Sequence, residues 1–129
     1  MMKKLCLAAL VLAGVSAAPA FAGSTFPYTC SNVNFSYVNN QAAIQGTCLR
    51  ANGTPNNTTL VLNGISNQNG RLVQGSGAST FQQSCGSIKV LINGPEVLLS
   101  AQCRTESGSS NATSLSLNNI GNNNGNLAY

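Results

Sequence analysis

The chain contains an internal sequence repeat, whose two copies are offset by 55 residues and align without a gap. Residues 24–74 and 79–129 share 16 identities in 51 aligned positions, among them two cysteines and much of an asparagine-rich tail. An open solenoid needs about three or more stacked repeats to bury its faces, so two copies do not suffice for one. The repeat therefore predicts a closed unit with pseudo-two-fold symmetry and two related sites.

The first 22 residues have the pattern of a secretory signal peptide. Lys3 and Lys4 precede an apolar stretch that holds Pro19, and a small-x-small cleavage motif ends at Ala22. The alternative is a membrane anchor, but this stretch is marginal against the roughly 20 apolar residues that a span needs. We therefore expect a secreted single domain over residues 23–129, extracellular or periplasmic, with no membrane span.

The predicted mature domain keeps four cysteines, and an oxidising compartment favours disulfides over a metal or redox site. Four cysteines allow three pairings. The repeat selects one pairing, because each copy holds one pair of cysteines separated by 18 residues. We expect the disulfides Cys30–Cys48 and Cys85–Cys103, each closing a loop whose entropy is worth about 3 kcal/mol.

Short apolar runs between turn residues predict a mostly β fold with at most short helical turns. Asn-Gly pairs, which mark tight turns, begin at residues 52, 63, 69, 93 and 124. The predicted strands are 42–50, 58–65, 70–74, 87–93, 97–105, 113–120 and 125–129. We interpret the asparagine-rich segment 118–126 as a turn, because its counterpart in the first copy keeps the pattern. Residues 75–77 are interpreted as a linker between the copies.

The chain has no histidine, aspartate or tryptophan, and these absences constrain function strongly. A histidine-dependent catalytic triad cannot be built, and zinc or calcium would lack ligands. The two glutamates, Glu96 and Glu106, lie about 33 Å apart if the predicted strand between them is extended, so they cannot flank one glycosidic bond. Only four cationic residues follow residue 22, without the basic stripe that nucleic acid requires. We expect a protein that is not an enzyme and that binds no cofactor, metal or nucleic acid.

The predicted mature surface is instead dense in asparagine, glutamine, serine and threonine. Amides and hydroxyls both donate and accept hydrogen bonds, as sugar hydroxyls do. Such a surface can recognise a neutral glycan, or it can simply form turns and solvate strands. Composition alone leaves both interpretations open.

Several motifs together resemble the cyanovirin-N homolog family of mannose-binding lectins, and the likeness covers essentially all of residues 24–129. The shared features are the motif Phe26–Cys30 and its second copy Phe81–Cys85, the cysteine pair within each copy, and the tails Leu62–Leu72 and Leu117–Leu127. The resemblance implies an elongated, pseudo-symmetric molecule whose two halves exchange strands. The halves would be about 23–64 with 120–129, and 65–119.

The resemblance also implies one carbohydrate site in each half, selective for α1→2-linked mannose at the ends of high-mannose glycans. Binding would use hydrogen bonds without a metal ion. The partners would be mannose-rich glycans or glycoproteins.

The family's second-half site, carried over by position, falls on the first-copy turn and on segments around the last two cysteines. These positions are Ser66, Asn67, Gln68, Asn69, Ser79, Thr80, Gln83, Ser84, Arg104, Thr105 and Glu106. Relative to the family, Ser66 replaces a glutamate, Asn69 an aspartate and Glu106 an arginine. We expect Arg104 to donate to sugar hydroxyls, and Asn67 and Asn69 to fix the turn and present amides. This is the favoured site.

The family's first-half site falls on the N-terminal segment and the second-copy turn, at Thr25, Tyr28, Thr29, Asn122, Asn123 and Asn124. Leu49 replaces an important acidic residue there, and Ala51 replaces a usual threonine. Sugar oxygens left unpaired would cost about 1–3 kcal/mol per buried group. The segment between the first two mature cysteines is also longer by four residues than in the family's prototype. We expect this site to be weak or lost.

Two other functions stay open. The substitutions Leu49, Ala51 and Glu106 suit a secreted structural or protein-binding module that keeps the fold without sugar binding, whereas size, export and cysteines alone would suit an inhibitor or toxin-like protein. The resemblance allows a monomer or a domain-swapped dimer. Glycosylation sequons, which matter only in a eukaryotic secretory pathway, occur at Asn34, Asn52, Asn56, Asn57 and Asn111.

Overall fold

The computed structural model describes residues 23–129, in which each copy consists of a short 3-10 turn followed by five antiparallel strands. The strands are β1 Cys30–Val38, β2 Gln41–Leu49, β3 Pro55–Val61, β4 Asn63–Gln68, β5 Arg71–Ala78, β6 Cys85–Asn93, β7 Glu96–Arg104, β8 Ser110–Ser116, β9 Gly121–Asn123 and β10 Asn126–Ala128. The 3-10 turns are Phe26–Tyr28 and Phe81–Gln83. The expected mostly β fold is confirmed, and the proposed signal peptide lies outside the described residues.

Each copy forms a three-stranded sheet followed by a two-stranded hairpin. The sheets have the orders β1-β2-β3 and β6-β7-β8, and the hairpins are β4-β5 and β9-β10. Both expected disulfides are present, and each joins directly paired residues at the end of its sheet. The repeat in the sequence is therefore a repeat of architecture.

The hairpins are exchanged between the copies. The second-copy hairpin lies on β3, where the Leu127 amide donates to Thr58 Oγ1 at 3.1 Å. The first-copy hairpin lies on β8, where the Leu72 amide donates to Thr113 Oγ1 at 3.2 Å. We call β1–β3 with β9–β10 the first half, and β6–β8 with β4–β5 the second half. The expected strand exchange is confirmed.

One hydrophobic core joins the two copies. Its largest fully buried side chains are Phe26, Phe81, Ile44, Leu62, Ile65, Leu99, Ile120 and Val97. The two phenylalanines begin the 3-10 turns and are repeat equivalents. Ile44 and Leu99 form another equivalent pair, as do Ile65 and Ile120. Because these pairs pack into a single cluster, the exchange buries apolar surface from both copies together.

Two buried serines fasten the crossings between sheet and hairpin. Ser24 Oγ donates to the Leu117 carbonyl at 2.7 Å and accepts from the Ile120 amide at 3.2 Å. Its repeat equivalent Ser79 is 9% exposed, donates to the Leu62 carbonyl at 2.6 Å and accepts from the Ile65 amide at 3.0 Å. These hydroxyls satisfy backbone groups that would otherwise be buried without partners.

The turns agree with most of the Asn-Gly expectations. The pairs at 52–53, 69–70 and 124–125 lie in connections between strands, whereas at 93–94 Asn93 ends β6 and Gly94 begins the turn; each of the four glycines has positive φ. The pair at 63–64 does not form a turn, because Gly64 lies within β4 at a register shift. A Cβ at Gly64 would collide with the Gly75 carbonyl oxygen, so glycine is required there. Segment 118–126 contains the predicted turn.

Several strand assignments from the sequence were wrong. The predicted strand 58–65 is divided between β3 and β4, and the predicted strand 113–120 extends beyond the end of β8 at Ser116. Residues 75–77 belong to β5, where they bulge opposite Gly64, and are not a linker. Strand β1 was not predicted, because its sequence is rich in serine and asparagine. It ends in a tight turn at Asn39 and Asn40, with φ of 51° and 65°, which contains no glycine.

Residues 23–129 contain no helix of the length and apolar character needed to cross a membrane.

We expect Ser24→Ala and Ser79→Ala each to lower the free energy of unfolding by about 1–3 kcal/mol, because each leaves a buried amide without its acceptor. Urea unfolding followed by circular dichroism measures this. Ser116→Ala, at an exposed position on β8, is the matched control and should change stability by less than about 0.5 kcal/mol. Equal effects of all three substitutions would contradict the assigned role of the buried hydroxyls.

Candidate functional site

Asn67 organises the candidate site in the second half. Its side-chain Nδ2 donates to Ser84 Oγ at 2.8 Å and to the Arg104 carbonyl at 3.0 Å. Its Oδ1 accepts from the Gly70 amide at 2.8 Å. These bonds tie the β4–β5 turn to the end of β7 and to the second 3-10 turn. Because both amide hydrogens are used, Asn67 acts as a clamp and has no donor left for a ligand.

The turn itself consists of Asn69 and Gly70, whose φ angles are 52° and 87°. Asn69 Oδ1 accepts from the Glu106 amide at 2.9 Å, so this residue also ties the turn to the segment after β7. A Cβ at Gly70 would lie 2.7 Å from Thr105 Cγ2 and 3.0 Å from Asn111 Cβ. Only glycine therefore lets the turn approach this closely.

An open cleft of about 720 Å³ lies at this junction. It is lined by Asn67, Gln68, Asn69, Arg71, Val73, Ser84, Arg104, Thr105 and Glu106. All but two of these lining residues belong to the set carried over from the resemblance. Arg71 and Val73 were missed, although the two-residue turn at Asn69 places Arg71 opposite Gln68 in the hairpin register. A hairpin register drawn from the Asn-Gly pair could have found them.

The other positions of that set lie elsewhere. Ser79 is buried and its hydroxyl is engaged in the core, so assigning it to sugar binding was wrong. Ser66 is half-buried within β4, and Thr80 is exposed at the start of the second 3-10 turn. Gln83 lines a separate cleft of about 410 Å³, which Arg104 also borders.

The cleft leaves some polar side chains free. Within residues 23–129, no protein hydrogen bond engages the side chains of Gln68, Arg104 or Glu106, and all three are exposed. Thr105 Oγ1, in contrast, is shared with Ser109 Oγ at 2.7 Å and Ser107 Oγ at 2.9 Å. The available groups thus include the guanidinium donors of Arg71 and Arg104, a carboxylate acceptor and an amide that does both.

The first half repeats the same clamp. Asn122 Nδ2 donates to Thr29 Oγ1 at 2.9 Å and to the Leu49 carbonyl at 2.8 Å. Its Oδ1 accepts from the Gly125 amide at 2.7 Å. Asn124 repeats Asn69, since its Oδ1 accepts from a backbone amide, that of Ala51, at 2.9 Å. The scaffolds of the two sites are therefore alike.

The side chains on the first-half scaffold are different. Leu49 stands where the second half has Arg104, and it is 47% exposed. Arg50 stands in place of Thr105 and donates to Asn56 Oδ1 at 2.8 Å and to the Pro55 carbonyl at 3.1 Å. Its guanidinium is therefore directed to its own loop. Sequence reasoning did not identify this role of Arg50.

The remaining first-half residues are only partly brought together. Thr25, Asn122 and Asn123 line a cleft of about 420 Å³ that also contains Tyr129. Tyr28, the last residue of the first 3-10 turn, is 68% exposed. The described residues contain no group of three or more histidine, cysteine, aspartate or glutamate side chains that could hold a metal ion.

Comparison with known proteins assigns the chain to a family. The model of the CVNH domain matches residues 26–128. No sequence among curated proteins matches the chain. Among solved structures, TbCVNH of T. borchii has 27% identity and a TM-score of 0.63, covering 81% of this chain and 98% of its own.

Two further structures contain sugars. A complex of microvirin with mannobiose is 27% identical, with a TM-score of 0.62, and covers 81% of this chain and 97% of microvirin. A variant of MoCVNH3 in complex with (N-GlcNAc)4 is 18% identical, with a TM-score of 0.66, and covers 85% of this chain and 99% of its own. The latter likeness concerns the fold alone.

We expect Asn67→Asp to lower the free energy of unfolding by about 0.5–1.5 kcal/mol, because the carboxylate cannot donate to the Arg104 carbonyl and faces its oxygen instead. Gln68→Glu makes the same chemical change at a neighbouring exposed amide without hydrogen bonds, and should alter stability by less than about 0.5 kcal/mol. Chemical denaturation measures both. A stability of Asn67→Asp equal to that of Gln68→Glu would show that the clamp contributes nothing.

Proposed function

Since the chain belongs to the CVNH family, we propose that it is an exported carbohydrate-binding lectin whose second-half cleft binds α1→2-linked mannose at the ends of high-mannose glycans. The proposal includes binding by hydrogen bonds alone, without a metal ion, cofactor or catalytic step. Its partners would be mannose-rich glycans or the glycoproteins that carry them.

The observation that carries this proposal is the set of free polar groups on a fixed turn. Arg104 offers donors, Glu106 offers acceptors and Gln68 offers both, all around one open cleft. Sugar hydroxyls need this mixture, because each hydroxyl donates once and accepts twice. Since Asn67 already holds the turn, a ligand need not spend binding energy on ordering the backbone.

The choice of a mannose ligand is supported by the relative that is bound to mannobiose, which is 27% identical to this chain. The resemblance of the turn residues to the family's site supports the α1→2 linkage. The chain has few ionisable residues, which is consistent with a neutral ligand.

The first-half site is proposed to bind sugar weakly or not at all. Leu49 provides no hydrogen bond where the second half has a guanidinium, and Arg50 is held by its own loop. A sugar oxygen buried against Leu49 without a partner would cost about 1–3 kcal/mol. The protein is therefore proposed to be monovalent for glycan as a monomer.

Export is supported by the signal-like pattern of residues 1–22 and by the two disulfides, which persist in oxidising compartments. The exchanged hairpins support a domain-swapped dimer as a second form of the protein, because the same contacts could join two molecules.

A second candidate function is a structural or protein-binding module that keeps this fold. The observation that favours it is the loss of polar side chains at Leu49 and Ala51, together with Glu106 in place of a cation. If both halves had lost sugar binding, the fold would remain intact, because the clamps do not involve these side chains.

We expect the protein to bind high-mannose structures on a glycan array, and Arg104→Ala to weaken that binding by about 10- to 100-fold, through loss of hydrogen bonds from a charged donor. Lys89→Ala removes another exposed cation from the same half and should leave binding unchanged. Thr29→Ala, in the first-half site, should have little effect.

Calorimetric titration with α1→2-mannobiose provides the affinities for these variants. Absence of binding to every high-mannose structure would support the protein-binding module instead. A large loss with Thr29→Ala and none with Arg104→Ala would show that the first half holds the working site.

A further inference from the structure

A groove of about 470 Å³ crosses the outer face of the first-half sheet. Its polar lining residues are Asn32, Asn34, Gln45, Thr47, Asn57, Thr58 and Thr59. None of these residues belongs to either site carried over from the resemblance. We propose that this groove is an additional binding site for a neutral oligosaccharide, separate from the second-half cleft and independent of it.

The strand register aligns these side chains across the sheet. Gln45 pairs with Asn34 on one side and with Thr59 on the other, so the three form one outward-facing row. Thr47 pairs with Asn57 in the neighbouring row. The Cβ atoms of directly opposite residues lie about 4.5–5.5 Å apart. Adjacent hydroxyls of one sugar ring can therefore form hydrogen bonds to two neighbouring side chains of the row.

A β-bulge shapes one side of the groove. The register of β1 against β2 shifts between Ser31 and Asn34, and Asn32 has a φ of 54°. Gly46 lies beneath the bulge, where a Cβ would come within 3.0 Å of Val33 Cγ2. The glycine thus allows the bulged strand to lie close to β2, and the displaced strand borders the groove.

The groove has unused hydrogen-bonding groups of both kinds. Asn34 Nδ2 donates to the Asn32 carbonyl at 3.1 Å, which leaves its Oδ1 as an acceptor. Thr47 Oγ1 donates to Asn57 Oδ1 at 2.9 Å, which leaves Asn57 Nδ2 as a donor. No hydrogen bond within residues 23–129 engages the side chains of Gln45 or Thr59. The groove therefore offers both free acceptors and free donors.

The second half lacks this arrangement. By repeat position, Lys89 replaces Asn34, Ser100 replaces Gln45 and Ala112 replaces Asn57. These residues occupy equivalent places in the second sheet, where Ser100 pairs with Lys89. The three side-chain amides of the first half are thus replaced in the second half by residues without an amide, although the backbone structure is repeated.

An exposed strand face does not need to be rich in asparagine and glutamine in order to be solvated. Asparagine is depleted in β-strands, whereas threonine is favoured. Lys89 on the equivalent face shows that a charge is tolerated there. The absence of charge among the groove's lining residues suits a neutral ligand, and its volume lies within the range of ligand sites. Because the groove is open to water, we expect millimolar affinity.

The test is an NMR titration of protein made in a bacterial host, so that the sequons at Asn34 and Asn57 stay unmodified. The probes are α1→2-mannobiose, N-acetylglucosamine tetrasaccharide and cellotetraose. We expect at least one probe to shift the side-chain amide signals of Asn34, Gln45 and Asn57. These shifts should persist in Arg104→Ala.

The groove variant carries N34K, Q45S and N57A, which are the residues that the chain itself has at the equivalent second-half positions. It should lose the shifts of the groove backbone amides, whereas the control K89A with S114A, on the outer face of the second sheet, should keep them. If the triple variant does not fold, Gln45→Ser alone serves, because Gln45 makes no side-chain hydrogen bond within residues 23–129.

The outcomes separate the two sites. Shifts at the groove but none at the Asn69 side-chain amide would support the groove and contradict the proposed second-half cleft. Shifts at Asn69 alone, or groove shifts that survive in the groove variant, would overturn the inference and leave the cleft standing.

Discussion

The structure depends on hydrogen bonds that fasten the hairpin of each copy to the sheet of the other. Asn67 in the first copy holds Ser84 and Arg104 of the second, and Asn122 does the same for Thr29 and Leu49. Each of these amides uses both of its hydrogens and its oxygen. Each hydrogen bond of this kind is modest in energy, and those from the glycine amides are partly buried. They fix the position of the turn, and through it the position of everything that lines a site.

The repeat conserves this scaffold and varies the side chains that it carries. Arg104 and Leu49 occupy the same place on the two scaffolds, and both contribute their backbone carbonyl to the clamp. Their side chains are free to differ because the clamp does not use them. A protein can therefore retain the fold in both halves while only one half keeps the polar groups that a sugar requires. In the first half, a different set of polar groups lies on the sheet face.

Sequence reasoning predicted the features that symmetry dictates, and it failed where tertiary packing decides. The disulfides, the turn at Asn124 and the exchanged hairpins were predicted from the repeat or from the resemblance. Strand β1 was missed because its asparagines disfavour a strand locally, and pairing with β2 forms it nevertheless. Ser79 could not be recognised as buried, since serine is usually exposed and only its contacts with the core reveal its role. Arg50 likewise depends on a loop conformation that spacing does not reveal.

Because the hairpins are exchanged, each site is built from residues of both copies. The turn at Asn69 comes from one copy and the guanidinium of Arg104 from the other, so neither copy contains a complete cleft. A single copy, even if correctly folded, would have a sheet edge without its hairpin and a hairpin without its sheet. Only by joining a second molecule could it recover a site. Because both copies lie in one chain, a monomer can form a complete cleft that would otherwise require a dimer. Each copy contributes residues to both sites, so a change in one copy affects both.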